Sequence, residues 1–499
     1  MATSSPPTHH PLRAAVIAVL WIATAALPSL AAGRARLSAD LADHLAKGSQ
    51  RIDVIVQGDQ ATVDTLAARY NVAVARRLKS GAVLRVNAGQ LDAIATDGAL
   101  DHVSGDVAVK PSMAVTNEAI GADQVWAGAR RGHGLNGRGV TVAVIDSGID
   151  ARHSSLEGRV LASVDFTGGD GTDRFGHGTH VAAIVAGQRG RTADTSNLQG
   201  VAAGAYLVSL RVLGDDGSGT SSSVLEAIDW AIEHKRQYNI RVINLSLGTA
   251  VVQSYRDDPL CAAAERAVAA GIVVVAAAGN HGRTDDGRTV FGAITSPGND
   301  PYVLTVGAID AHGTPQRSDD TLAPYSSRGP TGYDGMIKPD LVAPGSHIVS
   351  AEAAGSYLAA TYPARHVTGA GPNAYIQLSG TSMAAGVASG AAALLLDEHP
   401  RLTPADVRAV LQATSSFLPE AGLLGAGAGS LDAVAAVDFA AGRSRSLPVV
   451  SIADESITPG GVRTSAATQS RVRSITFVSR NTLVRYNSIV WDDSIVWDD

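Results

Sequence analysis

Short apolar runs alternate with stretches of helical periodicity from Gly139 onward. The runs are typical of strands buried on both faces of a parallel sheet, and they cover residues 140–145, 205–212, 242–247, 272–278 and 303–306. Helices are predicted between them at residues 177–187, 221–234, 260–270 and 381–398. This alternation predicts an α/β fold with a doubly wound, mostly parallel sheet, whose functional groups gather at the carboxyl ends of the strands.

The residues before this region follow a different pattern. Strands are predicted at 52–56, 72–78, 82–86 and 102–109, and helices at 61–70 and 89–96. Residues 34–113 are therefore interpreted as a small α+β unit in the order βαββαβ, the ferredoxin-like arrangement. This fold serves many unrelated functions and by itself assigns none.

The N-terminus has the pattern of an export signal. A polar start leads into the apolar run 14–27, and small residues follow it. The pattern predicts a signal peptide over residues 1–31, cleaved after Ala31, and hence a secreted or periplasmic protein. The alternative is an uncleaved membrane anchor, because residues 14–32 are nearly long enough to span a bilayer.

Composition argues against several other classes of protein. The chain of 499 residues has a formal net charge of −7 and no long basic run, which argues against binding to nucleic acid. Its single cysteine, Cys261, excludes an intrachain disulfide and a cysteine-based zinc or iron–sulfur site. The protein therefore has to rely on packing for its stability.

Two segments carry candidate acid–base groups. Asp146 ends a buried run, which places a carboxylate at the carboxyl edge of the sheet, where it can orient an imidazole. His177 begins a helix between two glycines, and a near-neutral pKa suits a general base. In isolation Asp146 is more readily explained as a turn residue, and a zinc site at His177 and His180 lacks a third ligand.

Two further segments carry a candidate nucleophile and an amide donor. Ser382 lies in the first turn of a long apolar helix, where free N–H groups and the helix dipole favour developing negative charge. Asn280 follows the buried run that ends at residue 278. Each has an ordinary structural explanation, a helix cap for Ser382 and a turn for Asn280.

Together the four segments resemble the subtilisin-like serine proteases over residues 115–440. They read VAVIDSG around Asp146, FGHGTH around His177, AAAGN ending at Asn280 and LSGTSMAA around Ser382. The chain order is Asp, His, Ser. The resemblance implies that Ser382 is the nucleophile and His177 the general base. It assigns Asp146 to the orientation of His177, and Asn280 to the oxyanion hole. It further implies hydrolysis of polypeptide substrates through an acyl-enzyme, without a metal or organic cofactor in the chemistry.

The resemblance also implies which segments bind the substrate. They comprise Gly217, Ser218, Gly219, Ser246, Leu247, Gly248, Ala277, Ala278 and Gly279. The segments that would form the walls of the specificity pocket, 246–248 and 277–279, have small and apolar residues without a carboxylate. Because an unpaired buried charge is costly, we expect cleavage after medium-sized or large apolar residues.

Members of this family commonly carry a βαββαβ pro-segment that assists folding and inhibits the enzyme until it is removed. The resemblance therefore implies a pro-domain at residues 32–113, acting as intramolecular chaperone and inhibitor of a catalytic domain at 114–440. A template makes physical sense because non-local parallel pairing is slow, and the alternative is a permanent accessory domain. Self-cleavage is expected between Met113 and Ala114, since a proline obstructs cleavage after Lys110.

The chain departs from the family pattern at three places. Gly386 and Val387 replace the proline and histidine usual after the serine, and glycine should loosen this turn by about 1 kcal/mol. The long stretch before the serine predicts a surface insertion near the cleft at residues 350–376. The usual calcium-loop pattern is not evident at residues 187–200, so a structural calcium site is possible but has no clear motif.

The C-terminal region has no helical periodicity. Residues 441–499 end in two copies of SIVWDD and are interpreted as a flexible tail, with pairing to a partner's sheet edge as the alternative.

Rival functions are a surface scaffold, a binding module without catalysis, and a dinucleotide enzyme. The pattern GHGLNG at residues 132–137 suggests the last of these, but it precedes its strand instead of following it.

Overall fold

The structure is a computed structural model. It describes residues 34–37, 41, 44–45, 48–78, 81–100, 102–105, 112–128, 133–441, 446–464 and 475–477. The predicted export signal and the two SIVWDD copies lie outside these residues. The chain divides into two compact units, Met1–Ala108 and Val109–Asp499. In the described part of the chain, no helix has both the length and the apolar character needed to cross a membrane.

The described residues of the first unit include a five-stranded sheet and the helices that connect its strands. Its elements are β1 (Arg36–Leu37), β2 (Ile52–Gln57), α1 (Gln60–Tyr70), β3 (Ala73–Leu78), β4 (Gly81–Val86), α2 (Ala88–Thr96) and β5 (His102–Gly105). The strand order is β1-β5-β2-β4-β3, and only the short β1 pairs in parallel with its neighbour. The predicted βαββαβ order is therefore present, with β1 as an addition.

The second unit is built on an eight-stranded, mostly parallel sheet. Its strands are β6 (Thr141–Asp146), β7 (Val160–Asp165), β8 (Tyr206–Arg211), β9 (Ile240–Leu245), β10 (Val273–Ala277), β11 (Leu304–Asp310), β12 (Thr321–Leu322) and β13 (Leu341–Pro344). The order is β12-β11-β10-β9-β6-β8-β7, with β13 beside β11, and only β12 is antiparallel. The predicted parallel α/β fold is confirmed. β7 was not predicted, because the prediction relied on apolar runs buried on both faces. As an edge strand, β7 has side chains that alternate in exposure.

Helices cover both faces of this sheet. They are α3 (Ser112–Ala119), α4 (Ala122–Ala127), α5 (His177–Ala186), α6 (Ser221–Glu233), α7 (Lys235–Tyr238), α8 (Pro259–Ala269), α9 (Tyr357–Thr361), α10 (Thr381–Glu398), α11 (Pro404–Thr414), α12 (Gly422–Ala426) and α13 (Ala433–Ala440). Short strands complete the unit: β14 (Ile348–Ala351), β15 (His366–Thr368), β16 (Tyr375–Leu378), β17 (Val450–Ile452), β18 (Glu455–Ile457), β19 (Val462–Thr464) and β20 (Ile475–Phe477).

Glycines in α10 allow close packing around this buried helix. A Cβ atom on Gly390 would lie 2.6 Å from Cβ of Val201, and one on Gly386 would lie 3.2 Å from Cγ2 of Ile184 in α5. Real Cβ atoms almost never make the shorter of these contacts, so Gly390 is required by its neighbour. The glycine at position 386, which was expected to loosen this turn, has a packing reason. The absence of a side chain there lets α5 approach α10.

A buried ionic network lies in the segment that leads into β13. The Lys338 ammonium donates to Oδ2 of Asp340 at 2.6 Å, and Oδ1 accepts from Arg408 at 2.9 Å and Gln412 at 2.8 Å. Burial lowers the pKa of Lys338 to about 8. Burial alone would raise the pKa of Asp340. The positive charges of Arg408 and Lys338 outweigh this effect, so the pKa of Asp340 is lowered. The network connects β13 to α11.

Residues 446–464 correct the prediction of a flexible tail that starts at residue 441. β17 and β18 form a hairpin, and Val450 and Ile452 are buried in the main core of the second unit. The Ser451 carbonyl also accepts a hydrogen bond of 2.7 Å from Gln124. The prediction was wrong here because strands of three residues are too short for their alternating burial to be recognised in the sequence.

The predicted self-cleavage site lies in a helix. Met113 is the second residue of α3, and its exposed fraction is 1% because it packs in the main core. A helical peptide bond next to a buried side chain is not accessible to a protease. Cleavage between Met113 and Ala114 stays a prediction, and it requires α3 to leave the core first.

Candidate active site

Four predicted side chains meet at the carboxyl edge of the large sheet. Asp146 is the last residue of β6, and His177 is the first residue of α5. Asn280 follows β10, and Ser382 is the second residue of α10. His177, Asn280 and Ser382 line one open cleft of about 950 Å³, whereas Asp146 is fully buried against His177. Parallel strands end at this edge, so segments far apart in the chain arrive at one place.

The Asp146 carboxylate orients the His177 ring. Nδ1 of His177 lies 2.8 Å from Oδ1 and 3.0 Å from Oδ2 of Asp146. This contact assigns a proton to Nδ1, which leaves Nε2 of the neutral ring as a proton acceptor. Burial disfavours the charged form of His177, but the charge and hydrogen bond of Asp146 outweigh burial. The pKa of His177 is therefore raised above its ordinary value.

A second buried carboxylate, Asp173, supports the first turn of α5. It accepts hydrogen bonds from the N–H groups of Gly176 at 2.7 Å and Thr179 at 2.9 Å, and from the Ser147 hydroxyl at 2.9 Å. Gly176 at the N-cap has no side chain, so Asp173 supplies the capping oxygens. Asp173 thus positions the turn that carries His177, although burial raises its own pKa.

The Ser382 hydroxyl is bound to the backbone that follows β9. Its Oγ donates to the Ser246 carbonyl at 3.1 Å, and the Ser246 hydroxyl donates to the Ser382 carbonyl at 2.8 Å. Asn244 donates to the Ser246 hydroxyl at 2.9 Å and accepts from Ser389 at 2.9 Å. This network joins the start of α10 to the end of β9. To donate its proton to another acceptor in the cleft, the Ser382 hydroxyl would have to turn away from the Ser246 carbonyl.

The orientation of the Asn280 amide is set by Thr381. Oδ1 of Asn280 accepts hydrogen bonds from the N–H group and the hydroxyl of Thr381, both at 3.0 Å. The NH₂ group is therefore the end of the amide that remains available to the cleft. The Ser382 N–H lies in the first turn of α10, where helix N–H groups lack an intrahelical acceptor. Both groups can donate to an oxyanion that forms beside Ser382.

A smaller pocket of about 260 Å³ opens beside Ser382 and Asn280. A Cβ atom on Gly248 would lie 2.5 Å from Oγ1 of Thr295, so glycine is needed where these two walls meet. No carboxylate is among the ten residues that line this pocket. They are Ser246, Leu247, Gly248, Ala277, Gly279, Asn280, His281, Thr295, Thr381 and Ser382.

The residues predicted to bind the substrate backbone divide between these cavities. The large cleft is lined by 217–219 and 246–248, and the smaller pocket by 246–248 together with Ala277 and Gly279. Ala278 lines neither cavity. It is fully buried, and its N–H group donates to the Val306 carbonyl at 3.0 Å. Its assignment to substrate binding stays a prediction, since the hydrogen bond of its N–H group connects the end of β10 to β11.

Several residues at the site were not predicted from the sequence. Phe175 stands two positions before His177, and this closeness in sequence is a signal that was available. The other residues come from segments distant in the chain, and their approach to the cleft depends on the tertiary fold. The unpredicted residues include Phe175, Asp173, Asn244, Thr295, Tyr325, Leu358, Tyr362 and Arg365.

The glycine-rich segment before β6 lacks the geometry of a dinucleotide site. The N–H groups of Asn136, Gly137 and Arg138 donate to a single oxygen, Oδ2 of Asp397, at 3.1, 3.0 and 3.1 Å. Asp397 lies in the last turn of α10. A carboxylate of the protein itself therefore occupies the position that a phosphate would need.

His180 has a structural environment. Its Nε2 lies 3.1 Å from the Ile348 carbonyl and 3.2 Å from the Ile376 carbonyl, and burial, aided by His177, lowers its pKa to about 3. In the part of the chain that the structure describes, no group of three or more His, Cys, Asp or Glu residues is arranged to hold a metal ion. The expectation that the chemistry needs no cofactor stays a prediction.

The geometry defines a class of enzyme. An imidazole held by a buried carboxylate, in one cleft with a helix N-terminal serine and an amide donor, is the arrangement of a serine hydrolase. The family model described as Subtilase family, Peptidase_S8, matches residues 137–444, which are more than half of the chain. The chain therefore belongs to the subtilase family and to the serine endopeptidases.

Individual relatives agree with this family. Serine protease AprX of Bacillus subtilis (strain 168) is 39% identical over 311 residues, which are 61% of this chain and 66% of AprX, just under two thirds. Subtilisin DY of Bacillus licheniformis is 35% identical over 323 residues, 63% of this chain and 96% of that protein. A solved structure described as S41 psychrophilic protease matches with a TM-score of 0.50 and 30% identity, covering 62% of this chain and 97% of the other.

Asn280→Leu should reduce kcat with little change in KM. Leucine removes the NH₂ donor, whose hydrogen bond strengthens as the oxyanion develops, so the expected loss in kcat is roughly 100- to 1000-fold. Steady-state kinetics on a peptide substrate measure it. Gln253→Leu removes an amide outside the cleft and should leave both constants unchanged. A raised KM with an intact kcat for Asn280→Leu would instead assign the amide to ground-state binding.

The pH dependence of kcat/KM should report the Asp146–His177 pair. His177 must be neutral to accept a proton, so activity rises with pH through its pKa, and the raised pKa places this rise above the usual value of about 6.5. Asp146→Asn removes the charge that raises the pKa. The rise should move to lower pH, with an activity loss on the order of ten-thousand-fold. An unchanged midpoint in Asp146→Asn, or a shift in the distant control Asp229→Asn, would contradict this assignment.

Proposed function

We propose that this chain is an exported endopeptidase, made as an inactive precursor, that cleaves polypeptides after apolar residues through Asp146, His177 and Ser382. The observation that carries the proposal is the hydrogen-bonded Asp146–His177 pair at the cleft that also contains Ser382 and Asn280. Family membership supports the reaction.

In the proposed reaction Ser382 Oγ attacks the peptide carbonyl carbon while His177 Nε2 accepts the hydroxyl proton. The resulting oxyanion accepts hydrogen bonds from the Asn280 NH₂ group and the Ser382 N–H group. His177 then donates its proton to the leaving amine, and the C–N bond breaks to give an acyl-enzyme. Water, activated by His177, hydrolyses the ester and regenerates Ser382.

The Ser246 carbonyl links substrate binding to this reaction in the proposal. Without substrate it accepts the hydrogen bond of the Ser382 hydroxyl at 3.1 Å. A peptide laid along residues 246–248 can donate a backbone N–H to the same carbonyl. This exchange would release the Ser382 hydroxyl, which can then turn to Nε2 of His177.

Export and maturation rest on the N-terminal region. The pattern of residues 1–31 supports export, and the separate compact unit Met1–Ala108 supports a removable pro-domain that acts as folding template and inhibitor. Burial of Met113 adds a condition, because α3 has to leave the core before the Met113–Ala114 bond can enter an active site. N-terminal sequencing of the mature protein identifies the bond that is cleaved.

Ser382→Ala should abolish peptide hydrolysis and leave an unprocessed precursor. Removing the nucleophile of a group of residues that act together costs on the order of a million-fold in kcat, as in subtilisin. Hydrolysis of a casein or peptide substrate and labelling by a fluorophosphonate probe are the measurements. The exposed Ser456→Ala is the control and should be processed and labelled like the wild type. Near-normal hydrolysis by purified Ser382→Ala would refute the mechanism.

Substrates with an apolar residue before the scissile bond should be favoured at least tenfold over those with Arg or Lys there. The pocket of about 260 Å³ beside Ser382 has no carboxylate in its lining, and a buried cation without a partner is costly. The preference is measured by kcat/KM for a series of peptides that differ only in the residue before the scissile bond. A preference for Arg or Lys would show that this pocket does not receive that side chain.

A further inference from the structure

An inserted segment forms part of the cleft wall. Residues 352–374 connect β14 to β16 and contain α9, the 3₁₀ turn Pro363–Arg365 and β15. Three residues of this segment line the large cleft together with His177 and Ser382: Leu358, Tyr362 and Arg365. The predicted surface insertion therefore contributes directly to the space that a substrate enters.

The inserted segment is held against the loop that precedes His177. The N–H group of Tyr357 donates to the Arg174 carbonyl at 2.7 Å, and that of Leu358 donates to the Phe175 carbonyl at 3.0 Å. The rings of Tyr357 and Phe175 stack with their centroids 5.8 Å apart. A Cβ atom on Gly176 would lie only 2.5 Å from Oγ of Ser356, so the two segments are in tight contact. The segment is therefore a fixed wall of the cleft.

Phe175 connects this wall to the segment that resembles a substrate-backbone site. A Cβ atom on Gly217 would lie 2.4 Å from Cζ of Phe175, so the aromatic ring packs directly on the 217–219 segment. The ring is also 6.5 Å from the His177 ring, measured between centroids. A peptide that lies along residues 217–219 with its scissile bond at His177 therefore passes beside the inserted segment.

Arg365 is an oriented cation on this wall. Its guanidinium carbon lies 5.2 Å from the centroid of the Tyr362 ring, a cation–π contact that restricts the side chain. Among the described residues, no carboxylate forms an ion pair with Arg365. The one carboxylate in the lining of the cleft, Asp310, lies 3.7 Å from His347. The Arg365 N–H donors are therefore available to a carboxylate that enters the cleft.

We propose that residues 352–374 are a specificity element, in which Arg365, stacked on Tyr362, binds an Asp or Glu side chain of the substrate close to the scissile bond. A guanidinium can form two parallel hydrogen bonds to a carboxylate, a geometry that neutral residues cannot reproduce. The contact is partly exposed, so an acidic residue should raise kcat/KM by about three- to tenfold, and added salt should reduce the gain. This inference rests on the proposed endopeptidase function.

Peptides that differ in one charge test the proposal. All carry the same apolar residue before the scissile bond, and Asp, Asn or Lys is placed in turn at each of the neighbouring positions on both sides. The ratio of kcat/KM for the Asp and Asn peptides isolates the charge, because the two side chains have nearly the same size. Each ratio is measured within one enzyme variant, so a general change in activity cancels.

Three variants of the full chain are compared with the wild type. Arg365→Ala should bring the Asp to Asn ratio to about one, and Arg365→Glu should invert it and favour Lys. The control is Arg256→Glu, because Arg256 also lies over a tyrosine ring, 4.9 Å from the Tyr255 centroid, but lies outside the cleft lining. This control should keep the wild-type ratio.

The outcomes separate the two proposals. An Asp preference at one or more positions that is lost in Arg365→Ala and inverted in Arg365→Glu supports the specificity element. Ratios that do not depend on Arg365, or that change equally in Arg256→Glu, overturn it while cleavage of the neutral peptides still supports the endopeptidase. Failure of the wild type to cleave any peptide would instead refute the proposed function.

Discussion

The placement of the reactive groups depends on the burial of α10. This helix packs on α5, α13 and the strands β9 to β11, and its glycines Gly386 and Gly390 allow α5 and Val201 to approach closely. Ser382 at its first turn is thereby held in a set position relative to His177, which begins α5, and to Ser246, which follows β9. Because reaction rates fall steeply when reacting groups are displaced by even 1 Å, this packing is a condition of catalysis.

Buried polar groups around the cleft are already oriented before a substrate arrives. Asp146 accepts from His177, Asp173 caps α5, and Thr381 holds the oxygen of the Asn280 amide. Preorganised dipoles need no rearrangement when charge develops, which is the main source of their catalytic effect. The Ser382 hydroxyl differs, since it is engaged by the Ser246 carbonyl. In the proposed mechanism, substrate binding and reaction are connected at this hydrogen bond.

The second unit combines a shared frame with an element of its own. The sheet, α5 and α10 belong to the part that matches the subtilase family model, and they carry the groups to which we assign the reaction. The inserted segment 352–374 is placed on this frame by backbone hydrogen bonds next to His177 and by the stacking of Tyr357 on Phe175. Such an element can alter which substrates are accepted without moving the reactive groups.

The sequence by itself determined the α/β fold and the βαββαβ order of the first unit, because local periodicity encodes these features, and the resemblance of four short motifs to one family predicted the roles of Asp146, His177, Asn280 and Ser382. Only the tertiary structure decided the contacts of Asp173 and Asn244, the place of Arg365 in the lining of the cleft, the burial of Ala278 and the packing of residues 446–464. These features depend on contacts between segments distant in the chain, and no local pattern records which side chains will meet there.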